Sequence, residues 1–274
     1  MGSFTSLFFD HAVSIQVALY AVLISSLWLA EAWFGGQKVA GKWRHGATNL
    51  TLMLAALPVE IATSLAMVAA SQWAAAHHFG LLHLLPGADS PWLRIGLMVL
   101  VLDFLDYASH RAMHGLGFCW RFHLIHHTDR AIDVSTTVRE HPGETVIRNL
   151  ILIGCVLLCG APMEALVVRQ LGLTLFNLTS HSRFELPAGA ARVIGWLFIT
   201  PNLHHVHHHA VLPYTNRNYG DIFSLWDRLF GTLAELPREH LVFGLDSAQD
   251  EADIGRWAGV LALPFRARPA LSDA

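Results

Sequence analysis

Ala12-Val-Ser-Ile-Gln-Val-Ala-Leu-Tyr-Ala-Val-Leu-Ile-Ser-Ser-Leu-Trp-Leu-Ala-Glu-Ala-Trp-Phe34 carries one charged side chain, Glu31, close to its end. A helix needs about 20 mostly apolar residues to cross a bilayer's hydrocarbon layer, so this stretch is long enough to span it. A secretory signal would start from a basic segment. No Lys or Arg precedes the run, and Trp28, Glu31 and Trp33 close it, so it reads as a retained span. Thr48 to Ser71 is a second such run, holding Pro58 and Glu60; a proline there tolerates a kink, and a glutamate is costly unless it faces a protein interior. Trp92 to Tyr107 is apolar only as far as Leu102, after which Asp103 and Asp106 appear, so that helix leaves the membrane at its C-terminal end. Val146 to Gly160 and Met163 to Thr179, separated by Ala161 and Pro162, read as a helical hairpin turning inside or across the bilayer, made less apolar by Arg148, Arg169 and Asn177. The expected fold is all-α: a multi-pass membrane bundle of about four spanning helices, two of them as a hairpin, with a cytosolic histidine-rich helical cap.

The bulk composition agrees. Of 274 residues 53% are hydrophobic and 14% charged, and the mean hydropathy is +0.42, which favours a membrane protein over a soluble domain. The net charge of -3 contains no basic block, which excludes a nucleic-acid partner. Cys119 stands alone and Cys155 and Cys159 lie four apart in an apolar run, so cysteine supplies neither a disulfide framework nor a metal site.

Orientation follows from the positive charge, because short loops rich in Lys and Arg stay in the cytoplasm. The loop from Gly35 to Ala47 carries Lys38, Lys42 and Arg44, and the segment from His110 to Thr145 carries Arg111, Arg121, Arg130 and Arg139. Residues 1 to 11 and the loop from Gln72 to Pro91 carry none. The chain is therefore expected to be a single membrane-embedded domain with its N-terminus outside. Residues 1–109 form the transmembrane region, 110–145 the first histidine segment, 146–180 the hairpin, and 181–274 a cap on the same cytoplasmic face as 110–145.

Histidine is the unusual component, 18 residues against 18 for Lys and Arg together. Its distinctive uses are metal ligation and proton transfer. Three clusters stand out: His110-Arg-Ala-Met-His114, His123-Leu-Ile-His126-His127, and His204-His205-Val-His207-His208-His209. On a helix, residues three and four apart share a face, so each cluster can aim two or three imidazoles at one point. Eight imidazoles, at His110, His114, His123, His126, His127, His204, His207 and His208, exceed what one ion accepts, and two ions are the economical inference. An isolated histidine such as His45, His78 or His83 reads as an ordinary surface residue. Asp106, His110 and His114 recur every four residues, with Asp103 one turn further back. Both carboxylates are placed to accept the spare ring N–H of a ligating histidine, or simply to cap the membrane exit of the helix. Imidazole alone does not choose among Zn, Cu, Fe and Ni.

Taken together, the H-x3-H box followed by two H-x2-H-H boxes resembles the fatty acid hydroxylase and sterol desaturase superfamily, in its bacterial form. The resemblance runs from about Asp103 to Thr232 and includes His141-Pro142-Gly143-Glu144, His181-Ser182 and the run from Asn218 to Thr232. Carried over by position, it makes the eight histidines metal ligands with His181 as a ninth, and leaves His205 and His209 outside. His141 stays open between a ligand, a group behind one, and a helix-start residue before Pro142. Where some members hold a further histidine, this chain has Asn177.

The resemblance implies two iron ions, with zinc able to occupy the site in purified samples. It implies an O2-dependent oxidoreductase that hydroxylates or desaturates a lipid (sterol, fatty acyl or related) with electrons from a separate ferredoxin- or cytochrome-type donor. The high alanine and glycine content points to a bacterial inner membrane, and the positive-charge distribution puts the metal site on the cytoplasmic side. Phe118, Trp120, Phe122, Phe176 and Phe184 are candidates to line a lipid cavity, and Asn218, Tyr219, Trp226 and Asp227 to lock the third box in place. The rivals are a carotenoid hydroxylase or ketolase, and a non-catalytic zinc-binding membrane protein or transporter.

Overall fold

A computed structural model describes residues 11–34, 41–87, 90–245 and 256–266. Ten α-helices are named here: α1 (Ala12–Phe34), α2 (Lys42–Ala76), α3 (Pro91–Gly115), α4 (Gly117–His127), α5 (Pro142–Cys159), α6 (Met163–His181), α7 (Ala188–Ile194), α8 (Pro201–His207), α9 (Leu225–Leu229) and α10 (Trp257–Arg266). Lys38, part of the basic loop used to orient the chain, lies outside the described residues, as do residues 1–10, 246–255 and 267–274 of the expected outer segment and cap.

The chain is an integral-membrane helical bundle. Among the described residues three stretches are long and apolar enough to cross a membrane, Ser14–Phe34, Lys42–Leu84 and Pro142–Cys159. Their apolar side chains mostly point outward: Leu50, Leu54, Leu57, Ile61 and Leu65 of α2 are all exposed, and their spacing of three and four puts them on one face. Such a stripe on a soluble protein would be a large aggregation-prone patch; in a bilayer it meets lipid tails. α3 and α6, the other two long helices, carry more polar residues and turn them inward. Asp103, Asp106, His110 and His114 of α3 and Arg169 of α6 are buried.

The bundle's main core packs Ile95, Met98 and Leu102 of α3 against Leu152 and Val156 of α5 and Ala165 of α6. A second cluster, Leu52, Leu124, Ile125, Val260 and Leu263, ties α2 to α4 and α10. The α5–α6 turn is made by Gly160 at φ 69°. A Cβ on Gly160 would meet the Phe79 carbonyl oxygen at 2.3 Å, and one on Gly80 would meet the Gly160 nitrogen at the same distance. Glycine at both positions lets the segment after α2 press against the hairpin turn. Beyond the turn α5 lies chiefly along α2 while α6 lies chiefly against α3 and α1. The two arms diverge, and a cavity of about 360 Å³ opens between α2, α5 and α6.

Buried polar contacts fasten the cap to the spans. Glu31 at the end of α1 accepts from the backbone N–H of Val134 (3.1 Å) and Arg183 (2.9 Å), and Arg139 donates to Asn49 Oδ1 on α2 (2.9 Å).

Candidate metal centre

Helix geometry decides how the boxes divide. His110 and His114 of α3, His123 and His127 of α4, and His207 of α8 form one group; His126 of α4, His181 at the end of α6, and His204 and His208 form another. Within each group one ring nitrogen from every histidine lies within 4.8 Å of the others, and all nine side chains are buried or nearly so. Each H-x2-H-H box is therefore split. Its i,i+4 pair faces one group, while the third histidine, turned about 60° around the helix at 100° per residue, faces the other. His123 and His127 point one way and His126 the other, and His204 and His208 pair against His207 in the opposite sense.

The rings are held from behind. His110 Nδ1 donates to the Tyr219 carbonyl (2.9 Å), His207 Nδ1 to Arg217 (2.7 Å), His181 Nδ1 to Asn177 (2.8 Å) and His126 Nδ1 to Arg139 (3.3 Å). His123 Nδ1 donates to Glu144 Oε1 at 2.7 Å, and His114 Nδ1 to Asn216 Oδ1 at 3.1 Å. A neutral imidazole has one N–H, so each of these six rings presents a bare lone pair at Nε2. Those lone pairs face each other: His110 Nε2 lies 3.1 Å from His123 Nε2, and His126 Nε2 lies 3.0 Å from His181 Nε2. Two acceptors cannot hydrogen-bond, and His114 Nε2 and His207 Nε2 are buried with no partner. A shared cation resolves all of these contacts, so the donor set fits a nitrogen-ligated metal in each group.

Burial pushes all nine imidazoles below their ordinary basicity, reinforced in most of them by neighbouring rings. His181 and His207 fall to about 4. The neutral, ligating form is thus the resting form at pH 7. Because the folded values are depressed, the unfolded chain takes up protons first as pH falls through about 6.5, and stability drains away below that, for His181 and His207 until they titrate at about 4. Thermal melts of metal-free protein from pH 8 to 5 are expected to show a steep fall in Tm below about pH 6.5; a flat profile would contradict the buried neutral cluster.

Asp103 and Asp106 do something other than accept a histidine N–H. Asp103 accepts from Trp226 Nε1 (2.7 Å) and the Ile222 N–H (3.2 Å), and Asp106 accepts from Arg169 Nε (2.8 Å). Glu144 holds His123 instead. It closes the His141-Pro-Gly-Glu stretch, whose signal was visible without its partner. His141 Nδ1 accepts from the Gly143 N–H at 2.8 Å, capping α5, and it belongs to neither group. His205 faces away, toward Glu185 and the Ser182 carbonyl, and His209 accepts from the Val242 N–H.

The segment after the third box braces it. Asn218, at φ 54°, donates to the carbonyls of Leu203 and Ala234, both at 2.8 Å. Asp227 accepts from the N–H groups of Tyr219 (2.8 Å) and Gly220 (2.9 Å), which aims the Tyr219 carbonyl at His110. None of the five candidate aromatics lines the 360 Å³ cavity. Trp120 packs on His114 and His127, Phe122 on His141, Phe176 stacks on Phe198, and Phe118 is exposed.

A sequence model of the family described as fatty acid hydroxylase matches residues 95–232. The chain is 31% identical to an alkylglycerol monooxygenase of Caenorhabditis elegans over 57% of its own length and 30% of that protein. It is 31% identical to the ornithine lipid hydroxylase OlsE of Rhizobium tropici over 53% of its length and 43% of that protein, and 32% identical to methylsterol monooxygenase 1 of Rattus norvegicus over 48% and 44%. The match thus spans less than half of each of these relatives. No solved structure matches.

Proposed function

The chain belongs to the fatty acid hydroxylase family, and from that premise we propose that it is a membrane-bound, non-heme di-iron oxygenase that hydroxylates or desaturates a lipid. The observation that supports this most directly is the pair of opposed Nε2 contacts, one in each histidine group, which a cation in each group would satisfy. The chain would act as one membrane-embedded unit in a bacterial inner membrane, with the histidines on the cytoplasmic side. Electrons would come from a separate ferredoxin- or cytochrome-type protein.

When bound, two iron ions would supply O2 reduction and abstraction of a hydrogen atom, chemistry closed to redox-inert zinc, even where zinc fills the site in a purified sample. The nine histidines would hold the ions, with Asp103 and Asp106 bracing α3 behind His110 and His114. The carbonyls of Tyr219, Arg217, Asn177 and Arg139, with Glu144 and Asn216, keep Nδ1 protonated and Nε2 free, fixing each ring's direction. The cavity between α2, α5 and α6 lies beside the centre and takes an acyl or alkyl chain from the surrounding bilayer.

The test is comparative lipidomics of cells with and without the gene, under air and under anoxia, together with iron analysis of the purified chain. A lipid gaining one oxygen or one double bond, only with the gene and only in air, is the expected result. Iron-loaded protein that takes up no O2 with any lipid and a competent reductant would favour the zinc-binding reading, and a carotenoid product would favour the carotenoid hydroxylase.

A further inference from the structure

Segments 188–198 and 222–232 leave an apolar surface on the outside of the cap. Val193, Trp196 and Leu229 are 76%, 70% and 66% exposed, and Leu197, Leu225 and Phe230 join them. Neither segment carries an exposed carboxylate, since Asp227 is their only acid and is buried. Their exposed charges are Arg192 and Arg228. Arg228 folds back, donating to the carbonyls of Gly195 (2.9 Å) and Trp196 (3.0 Å), with its guanidinium 6.0 Å from the centre of the Trp196 ring.

The depth of this surface follows from α3. Leu93, Leu97, Leu100, Phe104 and Ala108 recur three and four residues apart on its outer face, and the stripe ends at the exposed Arg111. From Trp92 to Arg111 the helix rises about 29 Å, close to the roughly 30 Å of a bilayer's hydrocarbon layer. α5 gives the same level independently. Its apolar span begins at Pro142, and Glu144 in its first turn reaches His123, which lies 3.1 Å from His110, the neighbour of Arg111.

Neither segment stands beyond that level. Trp226 donates to Asp103 at 2.7 Å, and the rings of Trp226 and Phe230 pack 5.0 and 5.8 Å from Phe104. Phe104 lies about 10 Å back along α3 from Arg111, toward the middle of the bilayer. Phe198 likewise stacks on Phe176 of α6 at 4.9 Å, about 7 Å short of His181. The exposed apolar surface therefore continues the outer stripe of α3 sideways, through Phe104, at a depth where the surroundings are lipid. Cations without carboxylates suit the phosphates of a lipid headgroup layer. A second copy of the chain on this face would instead bring together two surfaces that carry only positive charge.

We propose that segments 188–198 and 222–232 form a wedge sunk in the lipid leaflet on the histidine side, with Arg192 and Arg228 directed to its phosphates. The metal centre then lies at headgroup depth. The cap meets water further on, where Arg238, 3.1 Å from Glu185 in the chain that follows His181, is exposed beside Glu239.

The experiment places a nitroxide, one site at a time, at Val193→Cys, Leu229→Cys and Glu239→Cys in the metal-loaded full chain carrying Cys119→Ser, Cys155→Ser and Cys159→Ser, held in phosphatidylcholine–phosphatidylglycerol nanodiscs. Power saturation compares collisions of the label with O2, which dissolves in hydrocarbon, and with a water-soluble nickel chelate. At 193 and 229 O2 is expected to relax the label severalfold more than the chelate, and at 239 the order is expected to reverse. Chelate-dominated relaxation at 193 or 229 overturns the proposal. So does a label shielded from both agents and broadened by a neighbouring label, which would mean that a second copy covers the face. If the serine background does not fold, Trp196→Phe in the otherwise native chain decides. The emission it removes should be quenched by lipid brominated along the acyl chain and not by aqueous iodide, and the reverse overturns the proposal.

Discussion

Alanine at His126 or at His207 is expected to abolish turnover and to lower bound metal toward half, each by emptying a different group. The hydrogen-bond partners behind a ligating histidine are alone worth about 10–100-fold in affinity or activity, so loss of a ligand should fall beyond that range. His207 belongs with His110, His114, His123 and His127, and His126 with His181, His204 and His208. Metal analysis and activity measured together should therefore show the same defect from two residues that sit in different boxes. The double variant should lose essentially all metal, because the two groups are separate. His78→Ala is the control: His78 follows α2 and stands in neither group. Equal loss from all three single variants would show that the grouping carries no chemistry. Retention of full metal by His126→Ala or His207→Ala would show that the Nε2 contacts are ordinary packing.

The box spacing made eight of the nine histidines legible, because i,i+3 and i,i+4 neighbours on a helix converge whatever the tertiary structure does; His181 stands in no box and came only with the family resemblance. The division of each box between two groups also lies in that periodicity, but it acquires meaning only once α3, α4, α6 and α8 are placed around a common point. Spacing misled at Asp106. It shares a face with His110, yet its partner is Arg169, 63 residues away and on another helix, and no local pattern announces a long-range ion pair. Glu144 was visible in the His141-Pro-Gly-Glu stretch, but not its contact with His123, because α5 must first fold back across α4. The apolar runs marked α1, α2 and α5 as spans, since length and composition are local properties. They said less about α3 and α6, whose buried Asp103, Asp106, His110, His114 and Arg169 face other protein.

The Asp106–Arg169 pair gives the second large effect, one of stability more than chemistry. Both side chains are almost completely buried, and Arg169 grips the carboxylate through two nitrogens. Removing one partner of a buried pair strands the other charge at a cost of about 3–5 kcal/mol, whereas replacing both by apolar groups of similar volume is often close to neutral. Asp106→Asn and Arg169→Met should each lower stability by that order, read as a reduced melting temperature and faster proteolysis in detergent. The double variant Asp106→Leu/Arg169→Met should recover most of it, with histidine geometry and metal content restored. The opposite pattern follows if Asp106 acts by tuning His110: Asp106→Asn would then lower metal affinity at unchanged stability, Arg169→Met would leave metal binding alone, and the double variant would rescue nothing. The geometry favours the first pattern, because His110 Nδ1 already donates to the Tyr219 carbonyl and has no N–H left for a carboxylate. What the pair does is fix α3 against α6, the two helices that bring His110 and His181 to the same hollow.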